Sequence, residues 1–458
     1  MTPVLVAAES VDLYSARWQM ALSLGFHIIL SCFGVAFPSL VLFAEWRSRR
    51  RGDDALMRLA RKWSKAMGVL FAVGAVSGTI LSFEMGMLWP GLMDRFGEIY
   101  GFPFTLEGFA FFLEAIFVGI YLYGWDRLSP RTHLLSGLPI IVSGIAGAFF
   151  VIAANSWMNT PRGFTLRDGE VVDADPIAGM LNPSTAAETV HMIVAAIMVA
   201  SFLTASVYAV AMLRGRRDRY TRMGLLIPLT VGAIATPVQV VVGDWIANMV
   251  ADTQPVKLAA MEGHYESGTG VELSLGGLYI DDELVGAIKI PRGLSLLVTH
   301  DPDGYVQGLD SVPPELRPPV NVVHLSYNLM VGIGFALLLI SAWLALSWWR
   351  RRDIPRSRWF LRAVAVSGLA SVVAMEAGWT TTEVGRQPWI VYEIMLTRDA
   401  VNSAPGLRYG LWAVIAVYAV LTVLSIYVLR RLARRPDEAV APQEVDEEPT
   451  AAREKPVR

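Results

Sequence analysis

Cysteine is almost missing from this chain: the single one, Cys32, lies inside an apolar run. That absence excludes a disulfide framework, a cysteine-ligated iron–sulfur cluster and a CxxCH site for covalent haem. Any metal must then be held by His, Met, Asp or Glu. Charge is scarce as well, at 17% of 458 residues against 54% hydrophobic ones, and mean hydropathy is +0.44. A soluble globule of this size does not carry that balance, whereas a multi-span membrane protein does. The formal net charge of -2 says little about partners, because the charges are segregated along the chain. No basic segment precedes the first apolar stretch, which is too long for a signal peptide, so it reads as a span that stays. No internal repeat of the kind that marks many transporters is visible.

What is present is a succession of apolar windows long enough to cross about 30 Å of hydrocarbon as helix. They cover about 17–43, 66–88, 104–124, 134–155, 186–212, 223–249, 321–349, 359–381 and 408–430. Each must be helical, since lipid-exposed backbone cannot otherwise satisfy its hydrogen bonds. The fold class expected is an all-α integral membrane protein of about nine transmembrane helices. Arginine clusters at 47–51, 214–222, 350–358 and 430–435 all fall on one side once nine spans are counted. By the positive-inside rule that side is cytoplasmic, with the N-terminus outside and the C-terminus inside. The chain divides into helices 1–6 over 1–249, a polar extracytoplasmic loop over 250–320, helices 7–9 over 321–430, and a disordered acidic tail over 431–458. Within the loop, GGLYIDDELVGAIKIP predicts two short strands around Asp281, Asp282 and Glu283.

The polar groups inside the spans are few: His27, Glu107, Glu114, His191, His324, Met330, Glu376 and Glu383. Carboxylates at membrane depth are costly and point to function. Glu107 and Glu114, seven apart, share one helix face and suggest a proton path or a metal site. With orientation fixed, every one of these candidate ligands falls in the outer half of the membrane or near its middle. One cofactor cluster close to the outer face is the expectation, and His with Met suits a low-spin haem while a lone His or carboxylate leaves an iron position open. His133, His264 and His300, in loops or at a span end and without partners, read as structural, and so does His324. Lys257 and Glu262 alone read as a solvated loop pair. TTTEVGRQPW (380–389) places Glu383 and Arg386 within a turn at the end of a span, where Pro388 and Trp389 stop the helix and anchor it at the interface.

Seven stretches in order carry a family resemblance: ARWQMALSLGFH, FAVGAVSGTILSFEMGMLW, FTLEGFAFFLEAIFVGIYLYGWDR, NSWMNTPRGF, TQPVKLAAMEGHYES, LLVTHDPDGYVQGLD and TTEVGRQPW. The chain resembles subunit I of the cytochrome bd-type quinol oxidases over about residues 10 to 430. The resemblance implies that His191 and Met330 are axial ligands of a low-spin haem b. It implies that His27 and Glu383 serve two high-spin haems, a haem b and a haem d or a haem b in its place. It sets Glu107 beside that pair and Glu114 with Asp126 on a proton route, and makes Lys257 and Glu262 the quinol-oxidising residues. Arg17 and Arg386 are expected at haem propionates, with Trp389 beside the cofactors.

The activity implied is quinol oxidation at the outer face with reduction of dioxygen to water, generating proton motive force without a pump. The implied partners are a second membrane subunit, subunit II, a small single-span subunit in some members, quinol, dioxygen and membrane lipid; nucleic acid is not among them. The implied location is the bacterial cytoplasmic (inner) membrane. This chain departs from some members in its short quinol loop and in carrying Asn328 where they carry arginine. Two other classes compete. A secondary transporter would explain intramembrane acids but not a matched His and Met, and a dihaem cytochrome b of a quinol dehydrogenase would need two histidines in one span, which no span has.

Overall fold

The computed structural model describes residues 3–355 and 357–434. Arg356 and the part of the expected tail beyond Arg434, Arg435 included, lie outside those residues. Among the described residues nine helices are long and apolar enough to cross a membrane, each running past the window that predicts it. In chain order the helices are α1 (Pro3–Arg51), α2 (Asp54–Leu88), α3 (Pro90–Gly124), short α4 (Pro130–Ser136), α5 (Leu138–Asn159), short α6 (Pro176–Met180), α7 (Thr185–Leu213), α8 (Arg219–Thr253), α9 (Pro255–Glu262), α10 (Gly293–Thr299), α11 (Val320–Arg351), α12 (Arg358–Gly385), short α13 (Thr397–Ala400) and α14 (Leu407–Arg434).

Local chemistry sets many of the starts. The Asp53, Asp218 and Ser357 side chains accept from the first free backbone amides of α2, α8 and α12. Proline opens α3, α4 and α9, where its missing donor costs nothing. Pro38, Pro103, Pro228 and Pro237 lie inside helices and are carried there by neighbouring helices.

The spans form two bundles. In the first, α1 packs on α2 and α5, and α3 closes the ring between those two; α14 lies outside on α1 and α2. In the second, α7 and α11 each pack on α8 and α12 while making little contact with each other. Helix α7 joins the bundles through α1 and α5. Arginines in the last turns of α1, α11 and α14 and in the connection after α7 mark one end; the opposite end carries the polar loops.

Packed apolar layers sit toward these ends. At the arginine-rich end, Leu40, Leu59, Trp63 and Ile140 fill the first bundle, while Phe202, Leu225, Leu337 and Phe360 fill the second. At the loop end Leu92, Phe96, Tyr100 and Trp157 cap the first bundle, and Leu258, Ala259, Leu309 and Val323 gather under α9. His27, His191 and Met330 lie between these layers and belong to none of the buried apolar clusters.

In the long loop, Leu278–Ile280 pairs antiparallel with Glu283–Val285. Asp281 and Asp282 turn the chain with φ of 50° and 64°, a two-residue hairpin of the kind aspartate tolerates. The strands predicted around these acids are thus present. Helix α9 stops at Gly263, whose φ of 64° terminates it in a left-handed cap.

Candidate functional site

At the loop end, five elements bring distant polar residues into one buried network. Asn159, the last residue of α5, accepts at Oδ1 from Lys257 Nζ of α9 at 3.0 Å and from Arg386 Nη1 at 3.1 Å. Its Nδ2 donates to Glu188 Oε1 of α7 at 2.9 Å. Arg386 also pairs with Glu383, whose other oxygen accepts from Asn155 Nδ2 at 2.5 Å. Next to them Arg17 of α1 donates to Gln387, which also accepts from Thr397 Oγ1 at 2.9 Å. Arg17, Lys257 and the neighbouring Glu383 and Arg386, three stretches widely separated in sequence, therefore converge. Trp389 follows immediately, opening a short strand, Trp389–Val391, paired to Met395–Leu396.

Lys257 and Glu262 are buried, with 2% and 3% of their surface exposed, so the solvated-pair reading of the residues alone is corrected. Five residues apart on α9, they point different ways: Lys257 to Asn159, and Glu262 to Tyr327 of α11. Burial pushes the Glu262 carboxyl up to about 7. Burial, with Arg386 beside it, pushes the Lys257 ammonium down to about 7. The short helix thus carries a base and a cation that both titrate near neutrality.

Deeper, His27 Nδ1 is held by Ser77 Oγ at 2.9 Å, which itself donates to Gly74 O at 3.0 Å. That tether occupies Nδ1, and among the described residues Nε2 makes no hydrogen bond. Gly78 makes the ring's position possible, since a Cβ there would stand 2.8 Å from His27 Cε1. His191 is half-buried with its Nδ1 buried and unpartnered. The Met330 thioether rests on α12 at Gly378, where a Cβ would come within 2.9 Å of Sδ. Asn328 is engaged elsewhere, accepting from Gly276 N at 3.0 Å and donating to His324 O at 2.9 Å. His324, fully buried, bonds the Met261 and Gly276 carbonyls at 2.8 and 3.0 Å and ties α11 to the loop, in keeping with a structural role.

These donors suit a haem. A tethered imidazole with one free nitrogen, a buried imidazole nitrogen without a partner and a thioether in a glycine-made recess are axial-ligand chemistry. Among the described residues no three His, Cys, Asp or Glu converge to cage a bare ion. Glu107 and Glu114 lie on α3 without a third ligand; Glu114 reaches between α1 and α5, 3.4 and 3.6 Å from Cβ positions built on Gly34 and Gly144. Glu376 points at α1, 3.1 Å from a Cβ on Gly25, with its Oε1 buried and unpartnered. Asp126 is not brought to Glu114: it sits at the arginine-rich end, 81% exposed, paired with Arg61 at 2.9 Å.

Sequence reasoning missed Asn155, Asn159 and Glu188. For the asparagines the signal was two amides four apart at the end of an apolar helix, hence on one face, and for Glu188 it was a carboxylate inside the 186–212 window. It also missed the partner of His133, which is fully buried against Glu45 at 2.8 Å. The expectation that His133 lacks a partner is corrected.

Comparison with known proteins gives one answer. The family model described as cytochrome bd terminal oxidase subunit I matches residues 15–437. The solved bd oxidase of Geobacillus thermodenitrificans superposes with a TM-score of 0.86 at 35% identity, covering 93% of this chain and 98% of that one. A Bacillus subtilis (strain 168) protein provisionally named cytochrome bd menaquinol oxidase subunit I is 35% identical over 427 residues, 91% of this chain and 96% of its own length. A second from the same organism, cytochrome bd ubiquinol oxidase subunit 1, is 29% identical over 439 residues, 92% of this chain and 93% of its own. The nine apolar spans, the buried polar cluster at one end and these matches agree, and the chain belongs to the cytochrome bd terminal oxidase subunit I family.

Proposed function

We propose that this chain is the haem-carrying subunit of an electrogenic quinol:oxygen oxidoreductase in the bacterial inner membrane. The observation that carries the reading is the buried network of Lys257, Asn159, Arg386, Glu383 and Glu188, which joins the polar loop to the ends of three spans. Quinol binds at the loop end, where Lys257 fixes its oxygen and ionised Glu262 accepts a proton. The arginine-rich end is cytoplasmic, so that quinol protons leave outside while the protons for oxygen reduction enter from inside. Charge then crosses the membrane without a pump.

His191 and Met330 would hold a low-spin haem b, and His27 and Glu383 the two high-spin haems, one b and the other d or b, with Glu107 beside them. When bound, these haems supply one-electron transfer and the iron at which dioxygen is reduced. The chain's own residues do the rest. Ser77 fixes the His27 tautomer. Arg17 and Arg386 place positive charge where propionates would lie, and Asn155 with Arg386 orients Glu383. Asp126 and Glu114 mark the inward proton route. Residues 250–320 act as the quinol loop, and the family implies a subunit II beside this chain; a single-span accessory subunit is part of the same reading.

The test is a reduced-minus-oxidised visible spectrum of membranes carrying the purified complex. We expect haem bands, with a far-red band if haem d is present, and loss of the low-spin signal and of quinol oxidation together in His191→Ala or Met330→Leu. A colourless protein, or variants that keep both, would overturn the assignment.

A further inference from the structure

The inward route named above has a gap: Asp126 is at the surface two residues beyond the end of α3, and ten residues of that helix, about 15 Å at the helical rise, separate its end from Glu114. At that level the first bundle buries a cluster that no part of the proposed mechanism uses. Glu45 of α1, Tyr121 of α3 and His133 of α4 are all 0% exposed. Glu45 Oε1 meets His133 Nδ1 at 2.8 Å and accepts from Arg49 Nε at 2.7 Å. Glu45 Oε2 accepts from the Tyr121 hydroxyl at 2.6 Å. His133 Nε2 lies 3.0 Å from the Tyr121 carbonyl oxygen.

A carbonyl oxygen can only accept, so Nε2 carries a hydrogen. The short contact on the other side of the ring then needs one more proton, on Nδ1 facing an ionised carboxylate or on Glu45 facing a bare nitrogen. The pair thus holds one proton that can sit on either atom. The pair also lies close to the arginine-rich surface: the His133 ring is tilted against Trp125 with centroids 4.2 Å apart, Arg61 of α2 lies over Trp125 at 5.0 Å, and Arg61 pairs with Asp126; ordered water has to carry the proton over that last step. In the other direction Tyr121, Glu114 and Glu107 stand seven apart on α3 and share one face.

We infer that Glu45 and His133 form the proton-loading pair of this subunit, receiving protons at the arginine-rich end and passing them by way of the Tyr121 hydroxyl toward Glu114. The charged and titratable groups facing the pair are Arg49 on α1, Arg61 on α2 and Tyr121 on α3. Two turns of α3 lie between Tyr121 and Glu114, a distance that ordered water has to bridge. No bond other than those to the moving proton changes. This inference rests on the proposed oxidase function, which supplies the demand for protons.

The experiment uses the complete complex in proteoliposomes. The fully reduced enzyme is mixed with dioxygen, which bypasses quinol oxidation, and proton uptake from each side is followed with a pH dye. His133→Ala is expected to slow uptake from the arginine-rich side about a hundredfold or more, leave the haem spectrum and quinol-driven reduction unchanged, and recover in proportion to added imidazole. A purely structural histidine would not show that rescue. Uptake at the wild-type rate, or slowed uptake that imidazole leaves unmoved, would overturn the inference. Should that variant not assemble, Glu45→Asp takes its place: it keeps the carboxylate but withdraws it by one methylene, and slowed uptake with an intact spectrum supports the pair while an unchanged rate overturns it. A wild-type complex that takes up no protons with dioxygen would instead refute the oxidase reading.

Discussion

Replacing Glu262 by Gln tests the proposed quinol site most directly, and the size of the effect follows from its surroundings. The carboxyl is 3% exposed and pushed up to about 7 by burial, while Lys257 on the same short helix is pushed down to about 7. A base works only when ionised, so the wild-type kcat/KM for quinol should fall about tenfold per pH unit below about pH 6 as Glu262 takes up its proton. In its proposed role Lys257 binds quinol only when charged, so the alkaline side should fall as it loses its proton above about 7. The profile is a narrow bell centred near neutrality. Glu262→Gln removes the base: kcat/KM drops roughly 10²- to 10⁴-fold, the acid limb disappears, and the alkaline limb stays. Steady-state quinol oxidation across the pH range is the assay. An acid limb that survives in Glu262→Gln, or a wild-type limb near the ordinary carboxylate value, would refute the argument that burial sets this group's proton affinity.

Two further outcomes follow from the same geometry. Gly378→Ala puts a methyl 2.9 Å from Met330 Sδ; overpacking of that kind costs about 1–3 kcal/mol, and we expect the thioether to be pushed away, seen as conversion of low-spin to high-spin absorption with the protein still assembled. Asn159→Ala strips the shared acceptor from the buried Lys257 and Arg386 and the donor from Glu188. At about 1–3 kcal/mol for each buried group left unpaired, thermal unfolding should shift down clearly and KM for quinol should rise, whereas Asn159→Asp, which keeps the acceptor for Lys257 and Arg386 but sets an oxygen against Glu188, should recover only part of the stability.

Much of the architecture was legible in the chain itself. The apolar windows predicted the nine long helices, because crossing hydrocarbon is a local demand on composition and length. The hairpin at Asp281 and Asp282 was legible for a similar reason, as turn chemistry is set by adjacent residues. His27, His191, Met330 and Glu383 stood out because imidazole, thioether and carboxylate at membrane depth are unusual, and they attract attention one at a time.

Which groups meet was not legible. Lys257 and Asn159 are 98 residues apart, Asn159 and Arg386 are 227 apart, and His133 and Glu45 are 88 apart. Nothing in the residues of KLAAME distinguishes a solvated pair from a buried one, and His133 at a span end looked idle until α1 placed a carboxylate against it. The sequence by itself determined that this protein is a bundle of membrane helices and which residue types are expensive enough there to have a purpose. Only the tertiary structure decided their partners, because the bilayer requires each helix to satisfy its own backbone but leaves its rotation and neighbours to side-chain packing, and it is rotation that turns Asn159, Glu188, Lys257 and Arg386 toward one another.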